Sequence, residues 1–551
     1  MIPYASEQFT EQERRLLSRY FTNDHLPVFA LVNLPEVVKG ALFARYSRSD
    51  KSLRRLFLDE FADDLSDGGL SDSDLSDGGD RVAGGGSVAA GTRAEKLYDK
   101  VFLDYGDDSV AQLGGVHLAC EQASNLLTKI LERGRLAAYL EQSTRYVPYD
   151  SRLPNGRYRY YRDPGILGSD LGARYVADMD RAFDTYGSLL GPLQAYLARE
   201  HSRPSEVSEL AWRRSVRAQA LDALRGLLPV GALSNVGIYA SGQSFEQLLI
   251  RMRTSSLPEA VSYSDMMLEE LRKVIPSFLT RVDRPDRGVA WGRYMEENRA
   301  ATTEVARRLL AGESAWPQAP VTLVDYDRDG EDKVLAAVLY SATDLPEVQL
   351  LERVRRLSQS DRDALMDAYV GRRGNRRQKP GRAFELARYR FDVVSDYGAF
   401  RDLQRHRMLN IEWQPLSTEL GYEVPTSVVE AGLGGAYEEA MARSAALYDV
   451  LGERFPQRAP YALGLAWRIR FAVGINARAA MHMLELRSAP QGHPSYRRIA
   501  QQMHSCIAEQ AGHRSIARAM SFVDHGGTVG PGRLEAERRL EHRRLEAGRA
   551  G

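Results

Sequence analysis

Residues 133 to 146 read Arg-Gly-Arg-Leu-Ala-Ala-Tyr-Leu-Glu-Gln-Ser-Thr-Arg-Tyr, and residues 405 to 417 read Arg-His-Arg-Met-Leu-Asn-Ile-Glu-Trp-Gln-Pro-Leu-Ser. One motif is written twice, so the chain is constrained to build two similar folds in tandem. The first copy keeps a Glu-Gln-Ser-Thr-Arg-Tyr tail but has Gly134 between its arginines. The second keeps Arg405-His406-Arg407 and lacks that tail. The likeness extends on both sides. Glu121 to Glu132 reads as a helix leading into Arg133, and Glu385 to Gln404 as one leading into Arg405. Downstream, Leu224-Arg-Gly-Leu-Leu-Pro229 precedes a helix ending in Arg-Met-Arg253, and Ala459-Pro-Tyr-Ala-Leu-Gly464 precedes one ending in Glu-Leu-Arg487. Tandem duplication accounts for this series.

Apolar residues recur at three- and four-residue spacing through 110–140, 205–228, 384–404 and 463–487, which predicts helices with one buried face. Short extended segments are predicted at Leu26-Pro-Val-Phe-Ala-Leu-Val, Val321-Thr-Leu-Val-Asp-Tyr, Tyr158-Arg-Tyr-Tyr and Val393-Val394. The expected class is α+β, mostly helical, in two copies spanning 1–290 and 291–530. The boundary falls where Arg284-Pro285-Asp286-Arg287-Gly288 precedes a charged helical stretch and Trp316-Pro317-Gln318-Ala319-Pro320. Residues 62–92, rich in Ser, Asp and Gly, have too little apolar surface to offset ordering entropy and are expected to form a flexible insertion. Residues 531–551, dominated by Arg and Glu, are expected to form a charged tail.

The net charge is zero, with 27% charged and 43% hydrophobic residues, which is a globular composition and argues against a nucleic-acid-coating chain. Only eight of the 74 basic residues are lysines by direct count, so arginine carries almost all positive charge. Cys120 and Cys506 are too few for a disulfide framework or a zinc site, and a reducing compartment is expected. The N-terminus lacks a basic start followed by an apolar run, and no stretch reaches membrane-spanning length. The expected location is cytoplasmic, with no membrane or nucleic-acid partner and no metal.

Arginines two apart at a helix end project guanidinium forks that hold phosphate bidentately, with a charge that does not titrate away. In an arginine-rich chain such a triplet also has a plain reading as solvated surface. Glu141-Gln142-Ser143-Thr144-Arg145-Tyr146 is richer, because it places an acceptor, an amide, two hydroxyls and a fixed cation within six residues. A capping or turn role for Ser143 and Thr144 stands beside the binding role.

The triplet, its spacing to a serine and the Glu-Gln-Ser-Thr-Arg tail together resemble the signature of the flavin-dependent thymidylate synthases. Arg133, Gly134, Arg135 and Ser143 fit the spacing, with glycine replacing histidine. Ala223-Leu-Arg-Gly-Leu-Leu-Pro229 is similar to the family's arginine-then-Leu-Pro segment, and Asn476-Ala477-Arg478 through Leu486-Arg487 to its Asn-Ala-Arg helix. The resemblance implies two tandem copies of that fold and a homodimer equivalent to the family's tetramer. Active sites in that family lie between subunits, and the motifs here sort along that division. Copy one keeps Glu141, Gln142, Ser143, Arg145 and Arg225, with Met252 where the helix-ending arginine is expected. Copy two keeps Arg405, His406, Arg407, Asn476, Arg478 and Arg487, with Pro460 where the Leu-Pro arginine belongs.

The implied activity is FAD-dependent reductive methylation of dUMP to dTMP with methylenetetrahydrofolate and NADPH, at composite sites. Arg487 is the implied catalytic residue, set against the uracil. Arg405, Glu141, Gln142, Ser143, Arg145 and Arg225 are implied to bind substrate. Arg405, His406, Arg407, Glu141, Asn476, Arg478 and His482 are implied to bind FAD. The chain departs from the pattern at Gly106-Asp-Asp-Ser-Val-Ala-Gln112, which lacks the family's histidines, and after Arg487. A further departure is Asp402, where the family carries a glutamine near the pyrimidine. These departures leave open an inactive nucleotide- or flavin-binding descendant with a regulatory role.

Overall fold

The computed structural model describes residues 7–34, 49–60 and 115–527, Glu206 apart, and Tyr4, Leu42, Tyr46, Ala62, Leu534, Arg538 and His542. Apart from those positions, the expected insertion at 62–92, the Gly106–Gln112 segment and the expected tail at 531–551 lie outside the described residues.

The first repeat runs β1 (Val28–Ala30), β2 (Gly115–Ser124), α1 (Asn125–Leu131), β3 (Ala137–Glu141), α2 (Gly172–Glu200), α3 (Glu209–Leu224), β4 (Leu233–Ser241), α4 (Gly242–Arg253) and α5 (Pro258–Arg272). After a connecting helix, α6 (Gly288–Leu309), the second repeat runs β5 (Val321–Tyr326), β6 (Arg388–Asp396), α7 (Tyr397–Gln404), β7 (Asn410–Trp413), α8 (Gly434–Arg454), β8 (Arg468–Asn476), α9 (Ala477–Arg487) and α10 (Pro494–Ser505). The result is the expected mostly helical α+β fold, present twice. Each repeat holds one four-stranded antiparallel sheet, ordered β1-β2-β4-β3 and β5-β6-β8-β7.

Three of the four predicted helical windows contain strands instead. In 384–404 the first half is β6, where Tyr389, Phe391, Val393 and Ser395 are buried and alternate with more exposed residues, the period of a pleated strand. Its second half is α7. The same strand-then-helix succession replaces the predicted helices at 110–140 and 463–487, while 205–228 is helical as predicted. The segment Tyr158-Arg-Tyr-Tyr forms no strand; Tyr160 makes a single bridge to Ala232.

Caps mark the equivalent positions of the two repeats. Ser241 caps α4 and Asn476 caps α9, 235 residues apart (476 minus 241). Ser124 caps α1 and Asp396 caps α7, 272 apart (396 minus 124). Both intervals appear together in one hydrogen bond: Gln142 N donates to Asn235 O at 2.8 Å, and Gln414 N to Arg470 O at 2.9 Å. By these intervals Gly134 answers to His406, Met252 to Arg487 and Pro460 to Arg225. The repeats differ at a bulge in β2, between Cys120 and Ala123, where Gln122 adopts φ +58° and its N donates to Asn235 Oδ1 at 2.9 Å. The β6–β8 register runs without such a shift.

The chain divides into two compact units that do not follow a single cut. One comprises residues 1–183, 229–314 and 446–462; the other comprises 184–228, 315–445 and 463–551. The second unit therefore contains the end of α2, all of α3 and the following 3₁₀ turn, Arg225–Leu227, from the first repeat. Within it, Leu465 N donates to Leu228 O at 2.9 Å and Ala466 N to Gly226 O at 3.0 Å, which fixes the turn against the strand entering β8. Gly226 has no room for a side chain: a Cβ would stand 2.1 Å from Tyr437 Oη and 2.9 Å from Ala466 Cβ. Its core includes Phe400, whose ring lies 5.1 Å from Phe471 and 5.4 Å from Trp413.

Candidate functional site

Three arginines from three separate segments converge in the second unit. Arg225 leaves the 3₁₀ turn, Arg405 stands at the C-cap of α7, and Arg487 ends α9. All three meet Asp402, one turn before Arg405 on α7. Arg405 Nη2 lies 2.6 Å from Asp402 Oδ1, Arg487 Nη1 3.6 Å from the same oxygen, and Arg225 Nη1 3.3 Å from Oδ2. The side chains of Arg225, Asp402, Arg487 and Arg405 are 5%, 9%, 14% and 30% exposed. The carboxylate of Asp396, the α7 cap, lies 4.0 Å from Arg225 Nη2, an atom that is buried and makes no hydrogen bond. Three fixed cations thus face two carboxylates.

Arg487 also donates from Nε to His406 Nε2 at 2.8 Å. That nitrogen accepts, so the His406 imidazole is neutral with its proton on Nδ1. Burial, then the neighbouring Arg487 charge, hold its pKa well below the ordinary histidine value. The His482 ring meets that of His406 edge to face at 5.6 Å. Burial followed by the charges of Lys379, Arg376 and Arg487 pulls His482 down to about 4. Arg487 itself is lowered by burial, and its guanidinium lies 5.3 Å from the Tyr496 ring.

Both histidines are therefore neutral in the folded protein at pH 7. Between about 6.5 and 4 the unfolded chain takes up the His482 proton and the folded one resists it, so stability declines as pH falls through that window. Histidine-resolved NMR titration is expected to place both midpoints below the ordinary histidine value; ordinary midpoints would show the charged environment to be wrong.

The remaining predicted residues occupy definite positions. In the second unit, Asn476 caps α9, its Oδ1 accepting from Ala479 N at 2.8 Å. Arg478 donates to Pro380 O at 3.0 Å and stands 3.7 Å from Glu385. Arg407 is exposed. In the first unit, Glu141 ends β3, buried, 3.4 Å from Lys129 Nζ, which also meets Glu132 at 2.5 Å. Gln142 is buried and its amide donates to Ser49 O. Ser143 organises a turn, with its Oγ accepting from Arg145 N at 3.3 Å and its carbonyl from Tyr146 N and Val147 N. This is the turn role foreseen beside the binding role. Arg145 is half-buried in that turn, and Arg133 and Arg135 are exposed.

The first unit also answers what stands at the positions equivalent to the cluster. Pro460, Gly134, Met252 and Ile130 (402 minus 272) replace Arg225, His406, Arg487 and Asp402, and only Arg133 remains. The polar pair beside the cap is exchanged as well. Here the cap Ser124 donates its N and Oγ to the Glu259 carboxylate at 2.9 and 2.6 Å, whereas in the second unit Ser495 Oγ donates to the cap carboxylate of Asp396. Tyr461 Oη donates to Glu259 at 2.7 Å, and burial raises Glu259 to about 7.

Sequence reading passed over a basic loop beside the cluster. Residues 371–382 carry Arg372, Arg373, Arg376, Arg377, Lys379 and Arg382 among three glycines and Pro380, a density that was visible in the sequence. Arg373 anchors the loop to α9 through a two-pronged pair with Glu485 at 2.5 and 2.6 Å and a bond to Ala519 O at 2.7 Å. Neither cysteine takes part: Cys120 and Cys506 are buried, and burial pushes both thiols up. Among the described residues no helix is long and apolar enough to cross a membrane.

A sequence profile of the family described as thymidylate synthase complementing protein matches residues 71–277 and 322–511, once in each repeat. UPF0159 proteins from Chlamydia muridarum and Chlamydia pneumoniae are 38% and 37% identical, covering 96% and 90% of this chain and 98% and 91% of their own. A UPF0159 protein from Thermoplasma acidophilum is 31% identical over 91% of this chain and 97% of its own. Among solved structures, a UMP/dUMP methylase PolB from Streptomyces cacaoi bound with 5-Br dUMP is similar at 20% identity and a TM-score of 0.28, covering 36% of this chain and 94% of its own. With the profile matched twice over well more than half of the sequence, and with duplicated signature segments occupying equivalent places in two repeats, the chain belongs to the thymidylate synthase complementing protein family.

Proposed function

We propose that this protein is an FAD-dependent thymidylate synthase that methylates dUMP to dTMP with methylenetetrahydrofolate and NADPH, using one complementary set of residues drawn from both copies. The observation that carries the reading is the convergence of Arg225, from the first repeat, with Arg405, His406 and Arg487 from the second. The equivalent positions in the first unit hold Pro460, Gly134 and Met252 and could not serve the same chemistry.

The residues present suit a phosphate-bearing cofactor: the charges of Lys379, Arg376 and Arg487 act on a histidine held neutral, and Arg478 acts on Lys379. Arg405, His406, Arg407, Asn476, Arg478 and His482, with Glu141, would hold FAD, which supplies the redox chemistry when bound. Arg145, Arg225 and Ser143, with Gln142, would hold the dUMP phosphate through charge-assisted bonds. Arg487 would stand against the uracil and favour loss of its N3 proton, since an adjacent fixed cation lowers an acidic pKa and raises the electron density available at C5. His406, accepting from Arg487, keeps that guanidinium oriented. A homodimer would provide the equivalent of the family's tetramer.

The test is flavin-dependent formation of dTMP from dUMP by the purified protein, together with a dUMP titration. One nucleotide site per chain and turnover are expected. Near-equal occupancy of two sites per chain would contradict the complementary set, and tight dUMP or flavin binding without turnover would favour the regulatory alternative, which the lost histidines at 106–112 support.

A further inference from the structure

Asp402 receives more charge than any other side chain of the cluster, and the chain contains its own control for what that means. At the equivalent position of the first repeat stands Ile130, half-buried, in the compact unit where Pro460 and Met252 stand in place of Arg225 and Arg487. The carboxylate is present where three arginines converge and absent where only Arg133 remains. Three guanidinium groups drawn from segments far apart in the chain repel one another, and gathering them in a largely buried place is unfavourable unless an anion stands among them. Both oxygens of Asp402 are used, Oδ1 by Arg405 and Arg487 and Oδ2 by Arg225.

Among the groups named here, the carboxylates of Asp402 and Asp396 face the guanidinium groups of Arg225, Arg405 and Arg487, with His406 neutral. The buried Nη2 of Arg225 makes no hydrogen bond and has the Asp396 carboxylate at 4.0 Å.

We propose that Asp402 is a built-in counter-anion: without a nucleotide it keeps Arg225, Arg405 and Arg487 gathered, and an incoming phosphate-type anion shares those guanidinium groups with it. Asp402 is then a positioning residue that makes the anion site preformed and, by the same charge, lowers its intrinsic affinity. A preformed site spends less of its binding free energy on ordering side chains, which offsets the weaker attraction. The inference rests on the proposed reading of Arg225, Arg405 and Arg487 as cations that bind the nucleotide and the flavin, with Arg225 on the nucleotide phosphate, and it is tested through binding and stability, so its failure and that of the enzymatic reading are separable.

The experiment compares wild type with Asp402→Asn, following thermal unfolding and inorganic phosphate binding in chloride buffer at matched ionic strength. Asp402→Asn is expected to unfold at a lower temperature in chloride, to recover most of the difference in millimolar phosphate, and to bind phosphate at least about tenfold more tightly than wild type. Wild type is expected to respond little. A merely structural aspartate would give a loss that phosphate does not restore, and equal phosphate responses in the two proteins would overturn the proposal. Should Asp402→Asn fail to fold in either buffer, the double variant Asp402→Asn/Arg405→Gln, which removes one cation with the anion, is expected to fold. Its failure would count against a charge-balancing role.

Discussion

Arg487→Ala is expected to lower kcat for dTMP formation by at least about 10²-fold, the scale of removing one preorganised charged donor from a developing anion. The guanidinium ends α9, donates to His406 Nε2 at 2.8 Å, lies 3.6 Å from Asp402 and is only 14% exposed, so its orientation is set from two sides before any ligand arrives. Removing it takes the fixed cation from beside the pyrimidine and frees His406 from the neighbour that most depresses its protonation after burial. Two readouts follow: loss of turnover, and a rise in the His406 titration midpoint. Arg133→Ala is the comparison, because Arg133 is exposed in the compact unit whose equivalent positions carry Met252 and Pro460; it is expected to be mild. Equal losses in the two variants would sink the complementary assignment of the copies.

Arg225→Met is expected to produce the largest loss of stability among the site residues. Its guanidinium is 5% exposed and stands between the Asp402 and Asp396 carboxylates. Deleting one partner of a buried ion pair leaves an uncompensated charge, which costs roughly 3–5 kcal/mol. Arg405 and Arg487 still neutralise Asp402, whereas Asp396 loses a cation and keeps its cap bond to Ala399 N and the bond from Ser495, so the lower end of that range is expected. A denaturant midpoint shifted by less than about 1 kcal/mol of stability would show the pair to be well solvated. The same variant is expected to lose dUMP binding while retaining FAD, since Arg225 is assigned to the nucleotide alone.

Much of this site was legible in the residues. The spacing from Arg405 to Arg487, the arginine before Leu-Pro at 225 and the losses at Gly134, Met252 and Pro460 were all readable, and the cap and register intervals place each at the equivalent position. The strands were less legible. In β6 and β8 a nine-residue strand runs directly into a helix, so a period of 2 is followed without punctuation by one of 3.6, and over a window of twenty residues the mixture imitates a helix. The capping role of Asn476, whose Oδ1 accepts from Ala479 N, was not legible, because the helix start it serves follows a strand with no break in the apolar pattern. The basic loop at 371–382 was hidden by composition: in a chain whose positive charge is nearly all arginine, six cations in twelve residues attract little notice.

By itself the sequence determined that the fold is duplicated and that each copy kept a different part of one motif set, because local spacing and residue type carry that information. Only the tertiary structure decided that Arg225, written in the first repeat, belongs to the compact unit of the second and meets a carboxylate 177 residues away. It also decided that this carboxylate is Asp402, which looked in the sequence like a simple departure from a family pattern. The physical reason is that a buried guanidinium takes whichever anion the packed backbone brings within reach, and that choice is made by long-range contacts which neither periodicity nor spacing encodes.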